Sequence, residues 1–208
     1  MFSKGSAVKT TAIALFLLGF TACATTEPSR FYLLNSLADT TQEVRAFSGD
    51  ARMTIGIGPV RFPAYLDRQQ IVTRISDNEL HLAGFDEWAE PLKENFVRVL
   101  VENLESLLPS DRFTVFPFRG VETPDWQVEM TVLRLDGSLG GQAVLLARWS
   151  IFDREDQALL LTKKSSLEEP TPGPGYEALV TAQSRLLKSL SREIAGTILG
   201  LSHQKPRP

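Results

Sequence analysis

Few residues of this chain belong to the types that carry out chemistry. Its 208 residues include one cysteine, Cys23, and two histidines, His81 and His203. A single cysteine cannot form an intramolecular disulfide or a cysteine-rich metal site, and two histidines leave little scope for histidine-based metal or acid–base chemistry. The sequence also contains no G-x-S-x-G nucleophile motif. We therefore expect no catalytic residue, no metal ion and no cofactor.

A short acidic cluster is the remaining group that could carry out catalysis. Asp86, Glu87 and Glu90 lie together just before the first predicted helix. Acidic side chains near a helix start interact favourably with the positive end of the helix dipole, and that role is sufficient to explain them.

The charge balance and the glycine spacing argue against nucleic-acid and nucleotide binding. The chain has 22 basic and 25 acidic residues, a net charge of −3, whereas nucleic-acid binding requires a dense basic face. Gly56 and Gly58 resemble part of a phosphate loop, but no third glycine follows and Pro59 stands where a helix would begin. Glycines inside a strand more often allow another segment to approach the backbone closely.

The position of Cys23 predicts lipid attachment. Lys4 and Lys9 precede an uncharged segment, 10–22, whose apolar part is shorter than the roughly 20 residues of a membrane-spanning helix. Cys23 follows directly, as in a bacterial lipoprotein signal, although Phe20 stands where the usual pattern has leucine. We interpret residues 1–22 as the signal peptide and Cys23 as the acylated residue. The alternative is an ordinary signal peptide followed by a chance cysteine.

Removal of this signal would leave an acidic chain held close to a membrane. The chain from Cys23 onward has 20 basic and 25 acidic residues, a net charge of −5. Residues 23–29 form the lipidated tether, and 24–29 can span roughly 20 Å when extended. Ala24, rather than aspartate, follows the cysteine, which under the usual sorting pattern implies the periplasmic face of the outer membrane, with the inner membrane as the weaker alternative.

Hydrophobic periodicity predicts one domain over 30–202, followed by a flexible tail at 203–208. Alternating or continuous apolar runs predict strands over 30–34, 53–60, 70–75, 79–83, 113–118, 126–135, 142–153 and 157–167. Apolar residues at helical spacing predict helices over 88–108 and 176–201, the second preceded by a Pro- and Gly-rich breaker at 168–175. The order lacks strict strand–helix alternation. It favours an α+β fold with a single mixed, mainly antiparallel sheet and two amphipathic helices packed on it.

The most informative loop lies between the second and third predicted strands. Tyr65, Leu66, Asp67 and Arg68 combine an aromatic, an aliphatic and two charged side chains. One interpretation is that Tyr65 and Leu66 turn inward while Asp67 or Arg68 fixes the turn. The other is that all four contribute to a docking surface, since aromatic and Arg side chains commonly anchor protein interfaces.

An ordered set of short motifs resembles a known family. Behind the lipoprotein signal come 31–34 (FYLL), 57–60 (IGPV), 63–68 (PAYLDR), 70–74 (QIVTR) and 88–92 (WAEPL). Asn103-Leu104 and, more weakly, Trp149 and 182–195 continue the pattern. The sequence thereby resembles the PqiC/YmbA type of ABC-transport auxiliary lipoprotein, with Phe62 and Gln69 where the family usually has leucine and proline.

The resemblance implies a non-enzymatic subunit of an ABC/MCE-type envelope lipid-transport system. Such members resemble outer-membrane-anchored partners of periplasm-spanning MCE-domain proteins, with a permease or ABC complex at the far membrane. In this view Tyr65, Leu66 and Arg68 contribute to contacts with the partner or with further copies in a homo-oligomer. Two alternatives stay open: a structural or assembly lipoprotein without a transport partner, and a periplasmic hydrolase.

Overall fold

The computed structural model describes residues 27–36, 54–108, 112–118, 123–156 and 158–204. The predicted signal peptide, Cys23 and most of the tether lie outside these residues. The described elements are eight strands and two helices. The strands are β1 (Arg30–Tyr32), β2 (Thr54–Arg61), β3 (Gln70–Arg74), β4 (Leu80–Trp88), β5 (Arg112–Val115), β6 (Trp126–Gly137), β7 (Gln142–Asp153) and β8 (Ala158–Pro170), and the helices are α1 (Leu92–Leu107) and α2 (Tyr176–Gln204).

The strands form two mixed sheets, so the α+β class is confirmed and the expectation of a single sheet is wrong. A five-stranded sheet has the order β5-β2-β6-β7-β8, and a three-stranded sheet has the order β1-β4-β3. β2 pairs in parallel with β5 on one edge and with β6 on the other. Because both edges of β2 are occupied, the β3–β4 hairpin that follows it cannot pair with β2. It instead pairs in parallel with β1 through β4.

The two helices bury the faces that their sequences predict. The buried residues of α1 are Leu92, Asn95, Phe96, Val99, Leu100, Asn103, Leu104 and Leu107. In α2 the predicted stripe of Leu179, Ala182, Leu186, Leu190, Ile194 and Ile198 is fully buried. α2 packs on β6, β7 and β8 and against α1, while α1 also contacts β2. The main core therefore lies between the helices and the five-stranded sheet.

Several element boundaries differ from the sequence prediction, chiefly around Trp88 and at the ends of β8 and α2. Trp88 ends β4 instead of opening the helix, because its N–H donates to the carbonyl of Gln69 at 2.7 Å, and α1 begins at Leu92 after Pro91. β8 continues to Pro170, into the predicted breaker, because it pairs with β7 as far as Gln142. α2 ends at Gln204 rather than at Leu201.

Buried polar side chains form hydrogen bonds that hold neighbouring elements in place. The Asn95 side-chain oxygen on α1 accepts the Leu34 N–H at 2.7 Å and so holds the chain just after β1. Between the helices, the Asn103 amide donates to the Ser191 hydroxyl at 3.1 Å, which donates in turn to the Leu187 carbonyl. These bonds specify one helix–helix arrangement, since a buried amide without partners would be costly.

Gly56 and Gly58 serve close packing of the backbone. A Cβ on Gly56 would lie 2.6 Å from Cγ of Pro124 and 2.8 Å from the Phe118 ring. Gly58 has a φ of +109°, a backbone conformation that residues with a side chain rarely adopt. A Cβ on Gly58 would lie 2.9 Å from the Cβ of Phe116. Both glycines therefore meet neighbouring side chains at distances that leave no room for a Cβ.

Replacing Gly58 by alanine should lower the free energy of unfolding by about 1–3 kcal/mol, because the backbone conformation becomes strained and the Phe116 contact too close. Urea unfolding monitored by tryptophan fluorescence measures the loss. Gly84→Ala in β4 is the matched control, since no atom lies within 4 Å of its added Cβ. Equal midpoints for the two variants would contradict this account of Gly58.

Candidate partner-binding groove

Two segments that are distant in sequence form one groove. The loop between β2 and β3 and the segment from the end of β4 into α1 line a cavity of about 750 Å³. The loop contains a 3₁₀ turn at Ala64–Leu66, closed by the Leu66 N–H donating to the Pro63 carbonyl at 3.0 Å. The bond from the Trp88 N–H to the Gln69 carbonyl joins the two walls. The groove thus consists mainly of the residues that carry the strongest motifs.

The four predicted contact residues occupy different environments around this groove. Tyr65 is half-buried and Leu66 is part of the hydrophobic core, whereas Asp67 is exposed and Arg68 is partly exposed. Leu66, Asp67 and Arg68 line the groove. The loop therefore combines an inward-facing pair, Tyr65 and Leu66, with a charged pair at the groove wall.

Tyr65 belongs to a buried ionic cluster centred on Asp136. Its hydroxyl donates to Oδ2 of Asp136 at 2.8 Å, and Asp136 is fully buried at the end of β6. Arg74 on β3 donates to both oxygens of the same carboxylate at 2.9 Å, and Arg134 donates at 2.7 Å. The cluster links the three-stranded sheet and the groove loop to the five-stranded sheet.

The environment of this cluster fixes its charge state. Burial alone would raise the pKa of Asp136, but the hydrogen bonds from Arg74, Tyr65 and Arg134 outweigh it and lower the pKa below its usual value. Burial, together with the hydrogen bond to Asp136, raises the pKa of Tyr65 to about 12. Asp136 is therefore ionised and Tyr65 neutral at any physiological pH, which suits a structural clamp.

Arg68 offers an unpaired donor at the groove. Its Nε–H is buried, and among the described residues it has no hydrogen-bond partner. The Arg68 side chain as a whole is partly exposed and lines the groove, so a binding partner can reach its accessible part. The groove walls carry both signs of charge, from Arg61, Lys93 and Glu94, beside an apolar floor that includes Trp88 and Leu92. Such a mixed wall suits a polypeptide with its own polar backbone.

The acidic cluster and His81 have structural surroundings. Asp86 is buried and accepts hydrogen bonds from Arg30 at 3.0 Å and from the Tyr32 hydroxyl at 2.7 Å, which ties β1 to β4. Glu90 forms an ion pair with Arg98 on α1. His81 is exposed on β4. In the part of the chain that the structure describes, no three His, Cys, Asp or Glu side chains come together as metal ligands.

Sequence reasoning missed Asp136, the residue that organises the region behind the groove. The available signal was an aspartate two positions after Arg134, at the end of a strand that is otherwise mostly apolar. A buried carboxylate requires donors, but its partners Tyr65 and Arg74 lie more than 60 residues earlier.

Comparison with known proteins identifies the family. The family model described as "ABC-type transport auxiliary lipoprotein component" matches residues 32–195. The chain belongs to this family. Two solved structures resemble this auxiliary lipoprotein in fold: an uncharacterized protein with TM-score 0.67 and 23% identity, and protein XCC0632 from Xanthomonas campestris, of the DUF330 family, with TM-score 0.66 and 16% identity. The first match covers 83% of this chain and 99% of the other protein's chain, and the second covers 84% and 98%. No curated protein sequence matches it.

Membership confirms the resemblance drawn from the motifs and places the auxiliary lipoprotein in transport. The family is one of auxiliary transport components associated with a transporter, rather than a class of enzymes. Over the residues that the structure describes, no helix is long and apolar enough to cross a membrane. The family description accords with a protein held at a membrane by lipid.

Proposed function

We propose that this auxiliary lipoprotein is the outer-membrane-anchored, non-enzymatic subunit of an ABC/MCE-type envelope lipid-transport system. It docks the periplasm-spanning MCE-domain partner, whose permease and ABC complex lie at the inner membrane, and thereby supports membrane integrity. Acylation of Cys23 holds it at the outer membrane.

The observation that carries this proposal is the meeting of the two motif segments at one groove. Leu66, Asp67 and Arg68 come from one segment, and Trp88 and Glu90 from the other. Such a groove, with the partly exposed Arg68 on its wall, is a suitable seat for a partner segment that supplies a carbonyl or carboxylate oxygen. The short tether adds support, because it keeps the groove close to the membrane where a bridging partner must end.

Tyr65 is unsuitable as the test residue. Its hydroxyl belongs to the Asp136 cluster, so truncating it would change folding as well as any contact. Arg68 and Asp67 can be altered without touching that cluster, since their side chains do not contact Asp136 among the hydrogen bonds of the described residues.

Replacing Arg68 by glutamate should reduce co-purification of the MCE-domain partner at least about tenfold, because an arginine anchor at an interface contributes 2 kcal/mol or more. The measurement is affinity purification of the full-length lipoprotein from cross-linked envelopes, with quantitative mass spectrometry of the MCE-domain protein. We expect the thermal melt to stay unchanged.

Lys164→Glu is the matched control, because Lys164 is an exposed cation on β8 and does not line the groove. Asp67→Lys, exposed on the groove loop, is a second variant should Arg68→Glu alter the melt. Undiminished partner recovery by a folded Arg68→Glu protein would refute docking at this groove. Absence of any MCE-domain protein from the wild-type sample would favour the structural lipoprotein without a transport partner.

A further inference from the structure

β1, the residue just after it and the neighbouring strand β4 leave large apolar side chains exposed. Phe31 in β1 is 63% exposed, Leu33 just after it 40%, and Phe85 in the neighbouring strand β4 38%. A soluble domain commonly exposes single apolar residues. Three such residues at neighbouring positions of one small sheet form a patch, and patches of this kind mark interaction sites.

The hydrogen bonds of Asp86 determine which way this patch faces. Arg30 and Tyr32 both reach Asp86, so the side chains on either side of Phe31 lie on the same face of the sheet as the buried Asp86. Because side chains alternate along a strand, Phe31 points to the opposite side. In β4 the same alternation places Phe85 and Glu87 opposite Asp86, and Phe31 is the register partner of Glu87. Phe31, Phe85 and Glu87 therefore share the outer face of the three-stranded sheet.

We propose that this outer face lies against the phospholipid surface to which the chain is anchored, with Phe31, Leu33 and Phe85 in the headgroup region. The proposal rests on the acylation of Cys23 in the proposed function. Only seven residues separate Cys23 from Phe31, a span of at most roughly 25–30 Å. The anchored end of the domain is thus the end that carries the apolar face.

A bilayer fits this patch better than a second copy of the chain. The exposed parts of the three side chains amount to roughly 300 Å² of apolar surface, whereas a stable dimer buries about 800 Å² per partner. Phenylalanine and leucine side chains enter the headgroup region favourably and need no matching partner surface. At a net charge of −5 the mature chain gains no general attraction to anionic lipid, so the contact is an apolar one.

A fluorescent label on the outer face tests the contact directly. The full lipidated protein carries Glu87→Cys, labelled with the dye NBD, in vesicles of phosphatidylethanolamine and phosphatidylglycerol. Acylated Cys23 has no free thiol, so the dye attaches at position 87 alone. Lys164→Cys on β8 is the matched control position, exposed and in the other sheet.

We expect the emission of the label at position 87 to shift to the blue and to lose its quenching by aqueous iodide, while the label at position 164 stays quenched. Adding Phe31→Ser and Phe85→Ser should restore iodide quenching at position 87 without releasing the protein from the vesicles or changing its melting temperature. Neither replaced side chain belongs to the hydrophobic core or packs against it, so the fold should persist without them.

The outcomes separate this inference from the function on which it rests. Flotation with the vesicles but full iodide quenching at position 87 would overturn the membrane contact and leave the lipid anchor standing. Failure to float at all would overturn the anchor and the contact together. Protection at position 87 that increases with protein density in the membrane would overturn the contact in favour of a second copy.

Discussion

Replacing Asp136 by asparagine should lower the free energy of unfolding by about 3 kcal/mol, the cost of breaking a buried ion pair. The carboxylate accepts hydrogen bonds from Tyr65, Arg74 and Arg134 and is fully buried. An asparagine would leave two guanidinium groups without a counter-charge. Its NH₂ group would also replace a carboxylate oxygen that accepts hydrogen bonds, so a donor would face other donors. The link between the two sheets would weaken as a result.

Equilibrium unfolding in urea at neutral pH measures this loss, and Asp67→Asn is the matched control. Asp67 is exposed, so the same chemical change there should alter stability by less than about 0.5 kcal/mol. A melting temperature within one degree or so of the wild type for Asp136→Asn would contradict the role of the cluster, since about 3 kcal/mol corresponds to several degrees in a domain of this size.

The difference in unfolding free energy between the wild type and Asp136→Asn should change with pH in a defined direction. Because the pKa of Asp136 is lowered in the folded state, its contribution is fully present above the ordinary aspartate pKa of about 4. The contribution disappears as the pH falls through the lowered pKa. The stability difference between wild type and Asp136→Asn should therefore be constant from neutral pH down to about pH 5 and shrink in stronger acid.

The elements of the fold could be predicted from the sequence because their periodicity is local. The stripe on α1 and the stripe on α2 follow helical spacing, and the predicted range of β7 agrees with the structure at both ends. The division into two sheets is not a local property. Alternation in β2 predicts a strand, but it does not indicate that β5 and β6, more than 50 residues later, occupy both of its edges.

For the candidate site too, the sequence predicts the local segment but not the tertiary contacts that complete it. The loop from Pro63 to Arg68 stands out by composition, and the groove is where the structure brings it together with the segment after β4. The sequence prediction places Trp88 in the helix, which is wrong, because an aromatic side chain fits an apolar face in either element. Its backbone bond to Gln69, which depends on the three-stranded sheet, makes it the end of β4.

The inward interpretation of the groove loop describes Tyr65 and Leu66, whereas docking through Asp67 and Arg68 stays a prediction. Leu66 is in the core and Tyr65 reaches the Asp136 carboxylate, whereas Asp67 and Arg68 remain at the groove wall. In a 3₁₀ turn successive side chains point in different directions. The inward pair thereby holds the loop in place, and the charged pair is the part left available for a partner.

Removing the acylation site should have the largest effect on this protein. We expect Cys23→Ser, with residues 1–22 exchanged for a secretory signal that is cleaved without acylation, to move the protein from the membrane fraction to the soluble periplasmic fraction. Each buried methylene contributes about 0.8 kcal/mol to membrane binding, so two or more acyl chains contribute far more than three partly exposed side chains. The change in membrane partition should exceed roughly a thousandfold.

Envelope fractionation with immunoblotting measures the release, and the mass of the mature N-terminus reports acylation independently. Ala24→Asp is the matched control, because it preserves the acylated cysteine and should move the protein to inner-membrane fractions without releasing it. The patch of Phe31, Leu33 and Phe85 would give Cys23→Ser at most weak, reversible vesicle binding, since three partly inserted side chains do not sustain stable anchoring. Retention of Cys23→Ser in washed outer membranes would show that another contact holds the domain there, and acylation would then no longer explain its location.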